Sequence, residues 1–495
     1  PLAAAADRLS RPSVIEEVSL GAHYFQQKTK IIATLGPACD DEAILRSMIA
    51  AGMNVARLNL SHGTFDDHAQ RIARLRMVAA GLDANIAVMV DTRGREIRTG
   101  LIAGGLAILH PGDTFTLYGD EREGDQNGVS VSHPTLHEHV KLRDRILLDD
   151  GLIELSVSAV ALEGIRCTVE CGGELRDRKG VNLPGNATVF DSIDSDVAGD
   201  LEFVAEHDAQ YVAASFIRDA ADINRLRAKL DSLGADTPII AKIESRDGVD
   251  NLDEIIAVAD GTMVARGDLG VEIDLARGPT IQKRIIRSTV TNGKPVITAT
   301  QMLDSMERNP RPTRAEVSDV ANAILDGTSA VMLSGETAIG AYPVEAVRTL
   351  AELAREAEAG LSEFGHLQQI LPHASDRVTD AVAQAAITMA KHLNAAAIVA
   401  LTETGFTSRL ISKYRPGCPI LAISSSQRVV CRLAMNWGVT AIHYDDDGGD
   451  DERLAFALRT ARDAGFARGG DVVIATTGSH QRAGSTDLIR VLTLE

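Results

Sequence analysis

Residues 28–63, KTKIIATLGPACDDEAILRSMIAAGMNVARLNLSHG, hold one complete strand, helix and strand. Lys30–Leu35 is a β-branched and apolar run of strand length. Asp40 then stands where a side chain can cap a helix, Ile44, Leu45, Met48 and Ile49 recur on one helical face, and Gly52 can end the helix in a left-handed turn. The next strand, Asn54–Leu58, begins at once. Short links around a helix between two buried strands predict a parallel sheet wound with helices.

Moving outward, the same alternation continues. Further strands are expected at Ile86–Asp91, Tyr211–Phe216, Pro238–Ile243, Thr262–Ala265, Pro295–Ala299 and Ala330–Leu333. With the first two they make eight, the number that closes a (β/α)8 TIM barrel. About 120 residues separate the third strand from the fourth, far more than a connection needs, and they read as strands and turns. Gly104–Leu117 alternates, and Asp149-Asp150-Gly151 sits between apolar runs as a hairpin turn. After Glu358, Ala397–Leu401, Ile420–Ser424 and Val472–Thr476 alternate with helical patterns in a further α/β unit. The expected class is therefore α/β: a (β/α)8 barrel, an inserted all-β domain and a C-terminal α/β open-sheet domain. The expected cuts are 1–27 as an N-terminal extension, 28–99 plus 183–353 as the barrel, 100–182 as the insert, and 354–495 as the C-terminal domain.

Composition narrows the function. Fifty basic against 69 acidic residues give a net charge of −19, which disfavours nucleic acid and anionic membranes as partners, so an anionic substrate must meet a locally basic pocket. Hydrophobic residues at 45% and charged residues at 24% fit a soluble globular chain. The longest apolar runs are too short to span a bilayer, and the start lacks the order of a secretory signal, so the cytoplasm is the expected location. Five cysteines form no disulfide frame; Cys167 and Cys171 read as ordinary strand thiols rather than zinc ligands. The acidic run Asp445-Asp446-Asp447 reads as a solvated loop.

Barrel chemistry sits where strands end. The second strand leaves through Arg57-Leu58-Asn59-Leu60-Ser61-His62-Gly63, and the third through Asp91-Thr92-Arg93-Gly94-Arg95-Glu96-Ile97-Arg98. Lys242-Ile243-Glu244, Arg266-Gly267-Asp268, Thr298-Ala299-Thr300 and Ser334-Gly335-Glu336 close the fifth to eighth. Glu244 and Asp268, hard carboxylates from neighbouring strands, suit Mg²⁺ or Mn²⁺; helix capping or pairing with Arg246 and Arg266 is the alternative. Lys242, two residues before Glu244, shares its face and can set a positive charge beside a phosphoryl group, or simply pair with the acids. Gly267 either admits a ligand close to the backbone or makes a turn, and Thr300 adds a hydroxyl to the rim. Asn59, Ser61, Asp91 and Thr92 form an oxygen cluster that can hold a monovalent cation or cap helices. Arg57 and Arg98 can grip phosphate, or form surface ion pairs.

These strand ends, together with KTKIIATLGPA, GMNVARLNLSHG, DTRGREIRTG, DDGLIEL, KGVNLPG, ASFIR, AKIES, MVARGDLGVEI, PVITATQMLDSM, NPRPTRAEVSDVANAILDGTSAVMLSGETAIGAYP and LISKYRP, resemble the pyruvate kinase family in the family's own order. The resemblance runs from Lys28 to the end. It implies a barrel with a mobile β-rich lid, an effector-binding C-terminal domain and a homotetramer. It further implies transfer of the phosphoryl group of phosphoenolpyruvate to ADP, giving pyruvate and ATP, the last step of glycolysis. Lys242, Thr300 and Arg57 would be catalytic, with Arg57, Lys242, Gly267, Asp268 and Thr300 on the substrate. Glu244 and Asp268 would hold Mg²⁺ or Mn²⁺, and Asn59, Ser61, Asp91 and Thr92 would hold K⁺. Asn59, His62, Arg98 and Lys179 would serve the nucleotide. Thr300, with Ser334, is the candidate proton path to the enolate. Glu96 stands where a Lys marks members that manage without K⁺, so K⁺ activation is expected.

Departures qualify the likeness. Arg93 and Arg95 stand where the family usually has Lys and Pro, and Ser329 replaces a commoner acidic residue. Thr402, Glu403, Thr404, Gly405 and Thr407 form a strand-to-helix loop that holds sugar phosphates in this family. Glu403 disfavours a bisphosphate and points to a sugar monophosphate or a nucleotide; an ordinary turn is the alternative. Barrel lyases and aldolases also use a Glu and an Asp around Mg²⁺ but lack the insert. A degenerate effector-sensing scaffold would have lost Lys242, Glu244 or Asp268, and all three are present.

Overall fold

The computed structural model describes residues 27–94, 97–149, 151–184, 195–365, 378–446, 448–478 and 486–495. Residues 1–26 of the expected extension, together with Arg95, Glu96, Asp150 and Asp447, lie outside the described residues.

Eight strands, β1 (Lys30–Thr34), β2 (Val55–Asn59), β3 (Ala87–Asp91), β4 (Tyr211–Ala214), β5 (Ile239–Ile243), β6 (Gly261–Ala265), β7 (Val296–Ala299) and β8 (Ala330–Leu333), close into a parallel barrel in chain order. They are the eight expected from the apolar runs. Closure is made where β1 pairs with β8, Lys30 opposite Ala330. Nearly every residue of these strands is buried, because one face fills the barrel and the other meets the helices. The first helix, Glu42–Ala51, is capped by Asp41, whose carboxylate accepts from the Ala43 and Ile44 amides, and not by Asp40 as the sequence suggested. Asp40 instead binds Arg71 and Arg74 of the next helix. Gly52 ends that helix at φ 120°.

Between β3 and β4 the chain builds a seven-stranded sheet and a two-stranded one around a separate core that includes Phe115, Ile146, Leu155 and Cys167. Ile97–Arg98 belongs to the larger sheet, pairing with Gly180–Asn182. The hairpin at Asp149 and Gly151 joins Arg145–Leu148 to Ile153–Ala161, as expected. Cys167 is buried and Cys171 exposed on one strand.

The last unit is a five-stranded sheet made of β9 (Ala397–Leu401), β10 (Ile420–Ser424), β11 (Val439–His443), β12 (Val472–Gly478) and β13 (Thr486–Thr493), in the order β11-β10-β9-β12-β13. It seats on the N-terminal ends of the barrel strands. Met435 packs into the barrel's inner core beside Ile32, Met89 and Met263. Tyr211 at the foot of β4 donates its hydroxyl hydrogen to the Arg432 carbonyl. Lys30 Nζ donates to the Val439 carbonyl at 2.8 Å.

Charge along this seam is unbalanced. Lys28, Lys30 and Arg415 meet there, and Glu358 is the carboxylate that faces all three. Glu358 accepts from the Lys28 and Thr29 amides. Arg415 is buried, stacks 4.6 Å from the Trp437 ring centre, and donates through Nη2 to the Gly327 carbonyl and to Ser329 Oγ. Its Nε and Nη1 have no hydrogen-bond partner among the described residues. Ser329 thus answers a buried guanidinium with a hydroxyl, where an acid would answer it with charge.

Candidate active site

The site is assembled where β2 to β8 end. Asn59 and Asp91 are register partners on β2 and β3, so the pairing itself sets them side by side. Arg57, two residues before Asn59, faces the same interior. Its Nε donates to Asp91 Oδ2 at 2.7 Å and its Nη1 to Thr34 Oγ1 at 2.9 Å. Lys242 on β5 reaches the other Asp91 oxygen, Oδ1, at 3.1 Å and Glu244 Oε1 at 2.8 Å, and donates to Ser215 Oγ at 2.8 Å. The alternative role foreseen for Lys242, as a charge partner, is therefore realised in this structure.

Burial alone would push the Asp91 carboxyl up, but Arg57 and Lys242 beside it hold it below the ordinary carboxylate range. Burial likewise works against the Lys242 ammonium, and Asp91 and Glu244 outweigh it, holding it above the ordinary lysine range. Lys242 thus stays a fixed cation rather than a base.

Glu244 is fully buried. Oε2 accepts the Phe216 amide at 2.6 Å. Oε1, though near the Lys242 ammonium, has no hydrogen-bond donor in bonding direction among the described residues. A buried carboxylate oxygen left in this state fits a hard cation. Asp268 lies in the first turn of the helix Arg266–Glu272 just past β6, the strand next to β5. No group of three or more His, Cys, Asp or Glu that could hold a metal ion occurs among the described residues; an ion held by two carboxylates would keep its other positions for substrate.

Thr300 follows β7 with φ 64°, a conformation that β-branched residues avoid. Arg266 fixes it there, donating to the Ala299 and Thr300 carbonyls while pairing with Asp319. The Thr300 hydroxyl donates to the Ala299 carbonyl at 2.7 Å and accepts the Gly267 amide at 2.9 Å. A Cβ on Gly267 would meet nothing nearer than 3.8 Å, so the protein's own packing does not require glycine. Ser334 Oγ is buried without a partner among the described residues.

Ser61 is exposed but donates its amide to Asn59 Oδ1 at 3.2 Å, and Thr92 is buried with its amide on the Ala213 carbonyl. His62 is exposed at the rim, its carbonyl bonded to His68 Nε2. Arg98 and Lys179 sit on the inserted sheet: Arg98 Nη1 donates to the Arg178 carbonyl, and Lys179 pairs with Asp149 at 2.8 Å. Arg93 turns from the mouth to bind Asp200 at 2.7 Å.

Ser215-Phe216, part of the segment ASFIR but without a role in the sequence reading, is expected there at the end of the fourth strand and stands instead past Ala214, at the exit of β4. An apolar Phe among polar strand ends gives no chemical signal, yet its amide holds Glu244.

In the C-terminal unit, Thr402, Glu403, Thr404 and Gly405 link β9 to the helix Phe406–Lys413, with Gly405 at φ 76° and its amide on Thr402 Oγ1. Glu403 points across to Ser425 Oγ at 2.8 Å and to Arg453 at 2.5 Å. Its charge is thereby matched, which the sequence did not reveal. Thr407 Oγ1 bonds Thr486 Oγ1, away from the loop.

This fold, with polar groups gathered at the C-terminal mouth, defines a (β/α)8-barrel enzyme. The family model described as pyruvate kinase, barrel domain, matches residues 26–347, and that for the pyruvate kinase alpha/beta domain matches residues 380–492. A pyruvate kinase of Clostridium acetobutylicum is 44% identical over 472 residues, covering 95% of this chain and 100% of the relative. One from Geobacillus stearothermophilus is 45% identical over 470 residues, 94% of this chain and 80% of its own. The chain belongs to the pyruvate kinase family, and it is a phosphotransferase.

Proposed function

We propose that this enzyme transfers the phosphoryl group of phosphoenolpyruvate to ADP, forming pyruvate and ATP, with K⁺ activation and control through its C-terminal domain. The observation that carries the reading is the arrangement of Lys242, Glu244, Asp91 and Arg57 at one barrel mouth, with buried Glu244 Oε1 facing the Lys242 ammonium at 2.8 Å and no other donor among the described residues. Glu244 and Asp268 would hold Mg²⁺ or Mn²⁺, which supplies charge neutralisation at the transferring oxygens. Lys242, held charged, neutralises the phosphoryl group in flight, and Arg57 orients it. Gly267 and Thr300 accommodate the carboxylate end. Asn59, Ser61, Asp91 and Thr92 are the K⁺ ligands. Asn59, His62, Arg98 and Lys179 serve the nucleotide, the last two when the inserted sheet, 100–182, closes as a lid over the barrel, 28–99 plus 183–353. The Thr300 hydroxyl hydrogen rests on the Ala299 carbonyl, so a proton path through Thr300 and Ser334 requires that hydroxyl to turn toward the enolate.

In the C-terminal domain, 354–495, the loop Thr402, Glu403, Thr404, Gly405 and Thr407 takes a sugar monophosphate or a nucleotide. With Glu403 neutralised by Arg453, the loop's remaining donors can meet one phosphate. A homotetramer in the cytoplasm completes the reading. No helix of the described residues is long and apolar enough to cross a membrane.

The test is ATP formation from phosphoenolpyruvate and ADP with Mg²⁺, in K⁺ and in K⁺-free, Na⁺-free buffer. Activity that rises with K⁺ supports the reading. Full activity without monovalent metal ions removes the K⁺ assignment, and no activity with sugar monophosphates or AMP added removes the function.

A further inference from the structure

The exit of β4 touches both groups of residues that the proposed function gives to cations. On one side lie Asp91 and Thr92. Ser215 Oγ donates to the Thr92 carbonyl at 2.9 Å and lies 3.4 Å from Asp91 Oδ1, and the Ser215 amide meets Thr92 Oγ1 at 3.3 Å. On the other side lie Lys242 and Glu244. Ser215 Oγ accepts from Lys242 Nζ at 2.8 Å, and the next amide, that of Phe216, donates to Glu244 Oε2 at 2.6 Å. Two consecutive residues thus hold four side chains from the ends and exits of β3 and β5.

Phe216 makes this possible by adopting φ 53°, a left-handed conformation that a bulky residue takes only when its surroundings impose it. Gly94, in the loop after Asp91-Thr92, lies against the Phe216 ring. A Cβ at residue 94 would sit 2.4 Å from Cε2 and 2.7 Å from Cδ2 of that ring. Gly94 itself has no positive φ, so its small size, not its backbone, is what the contact uses. The loop after β3 and the turn after β4 are consequently interlocked.

We propose that Ser215-Phe216 is a positioning pair that links the monovalent-cation residues to the divalent-cation residues, so that occupancy of one set tightens the other. The proposal rests on the functional reading above. Neither residue is a reacting group: Ser215 sets the Lys242 ammonium, and the Phe216 amide holds Glu244 by Oε2 so that Oε1 turns toward Lys242 and the ion they would share. A shift of the Asp91-Thr92 loop is carried through Ser215 and the Gly94–Phe216 contact to Glu244.

The experiment is a Mn²⁺ titration of the full chain, read by the electron paramagnetic resonance of free Mn²⁺, in K⁺ and in tetramethylammonium. The unmodified protein should bind Mn²⁺ roughly fivefold tighter in K⁺, the lower end of ordinary coupling between sites. Ser215→Ala should bring that ratio to about one, and Ser215→Thr, which keeps the hydroxyl, should restore most of it. Gly94→Ala, which displaces the Phe216 ring, keeps the Ser215 hydroxyl and brings the new methyl only to van der Waals distance (3.4 Å) of Ser215 Cβ, should lower the ratio as well and serves should Ser215→Ala fail to fold. A ratio unchanged in both Ala variants overturns the linkage while leaving the enzyme's function standing. No Mn²⁺ binding by the unmodified protein overturns the functional reading and the linkage with it.

Discussion

Arg57 Nε donates to Asp91 Oδ2 at 2.7 Å across neighbouring barrel strands, and both side chains are nearly out of water. With Nη1 on Thr34 as well, the guanidinium is oriented before any substrate arrives. A lysine cannot reproduce that planar, two-point hold. Arg57→Lys should therefore lower kcat/KM for phosphoenolpyruvate by about 10²-fold with the far-ultraviolet spectrum unchanged, as steady-state kinetics would show.

Lys242 is held as a cation by Asp91 and Glu244. Lys242→Met should lower phosphoryl transfer by about 10³-fold while largely sparing enolisation, measured as exchange of pyruvate methyl hydrogens with deuterated solvent. Equal loss of both steps would refute the division of labour.

Gly267 has room for a methyl group in the protein as it stands. Gly267→Ala should leave the melting temperature unchanged and raise KM for phosphoenolpyruvate about tenfold, because the crowding appears only with ligand present. A variant that melts earlier and keeps its KM would mark Gly267 as a folding residue.

Lys30 is buried at the seam, and burial, which outweighs the pull of Glu358, lowers its pKa to about 8. Between about pH 8 and the ordinary lysine value near 10.5, the folded chain has released this proton while the unfolded chain still holds it. Stability accordingly rises with pH through that window. Denaturant midpoints measured from pH 7.5 to 10 should increase, and Lys30→Met should flatten the slope.

Arg415 leaves two nitrogens without partners beside Ser329. Each such buried donor costs about 1–3 kcal/mol. Ser329→Asp should supply the missing charge and raise the melting temperature by roughly 2–4 °C. A lower melting temperature would show that the seam has no room for the acid.

The barrel was legible because its strands are short apolar runs joined by patterned helices, and because a spacing of two puts Lys242 and Glu244 on one face. Local rules faltered by one residue at Asp40 and Asp41, where either carboxylate could cap. Partnerships that span long separations had no sequence signal. Glu403 finds Arg453 fifty positions away, and Ser329 meets Arg415 eighty-six positions away. Ser215-Phe216 stands in ASFIR without an assigned role, because its work is done by a hydroxyl and an amide, groups that say nothing until the backbone places them.

The chain has one tryptophan, and it lies in the seam. Trp437 is buried, with Lys28 Nζ 5.3 Å and the Arg415 guanidinium 4.6 Å from its ring centre. Indole emission from the unlabelled enzyme therefore reports a single place, the joint between the barrel and the C-terminal sheet. Any small molecule that shifts one unit on the other moves the Lys28 ammonium, on the barrel side, relative to that ring and changes the wavelength of its emission. A fluorimeter can then screen for regulators of this protein with no substrate in the cuvette.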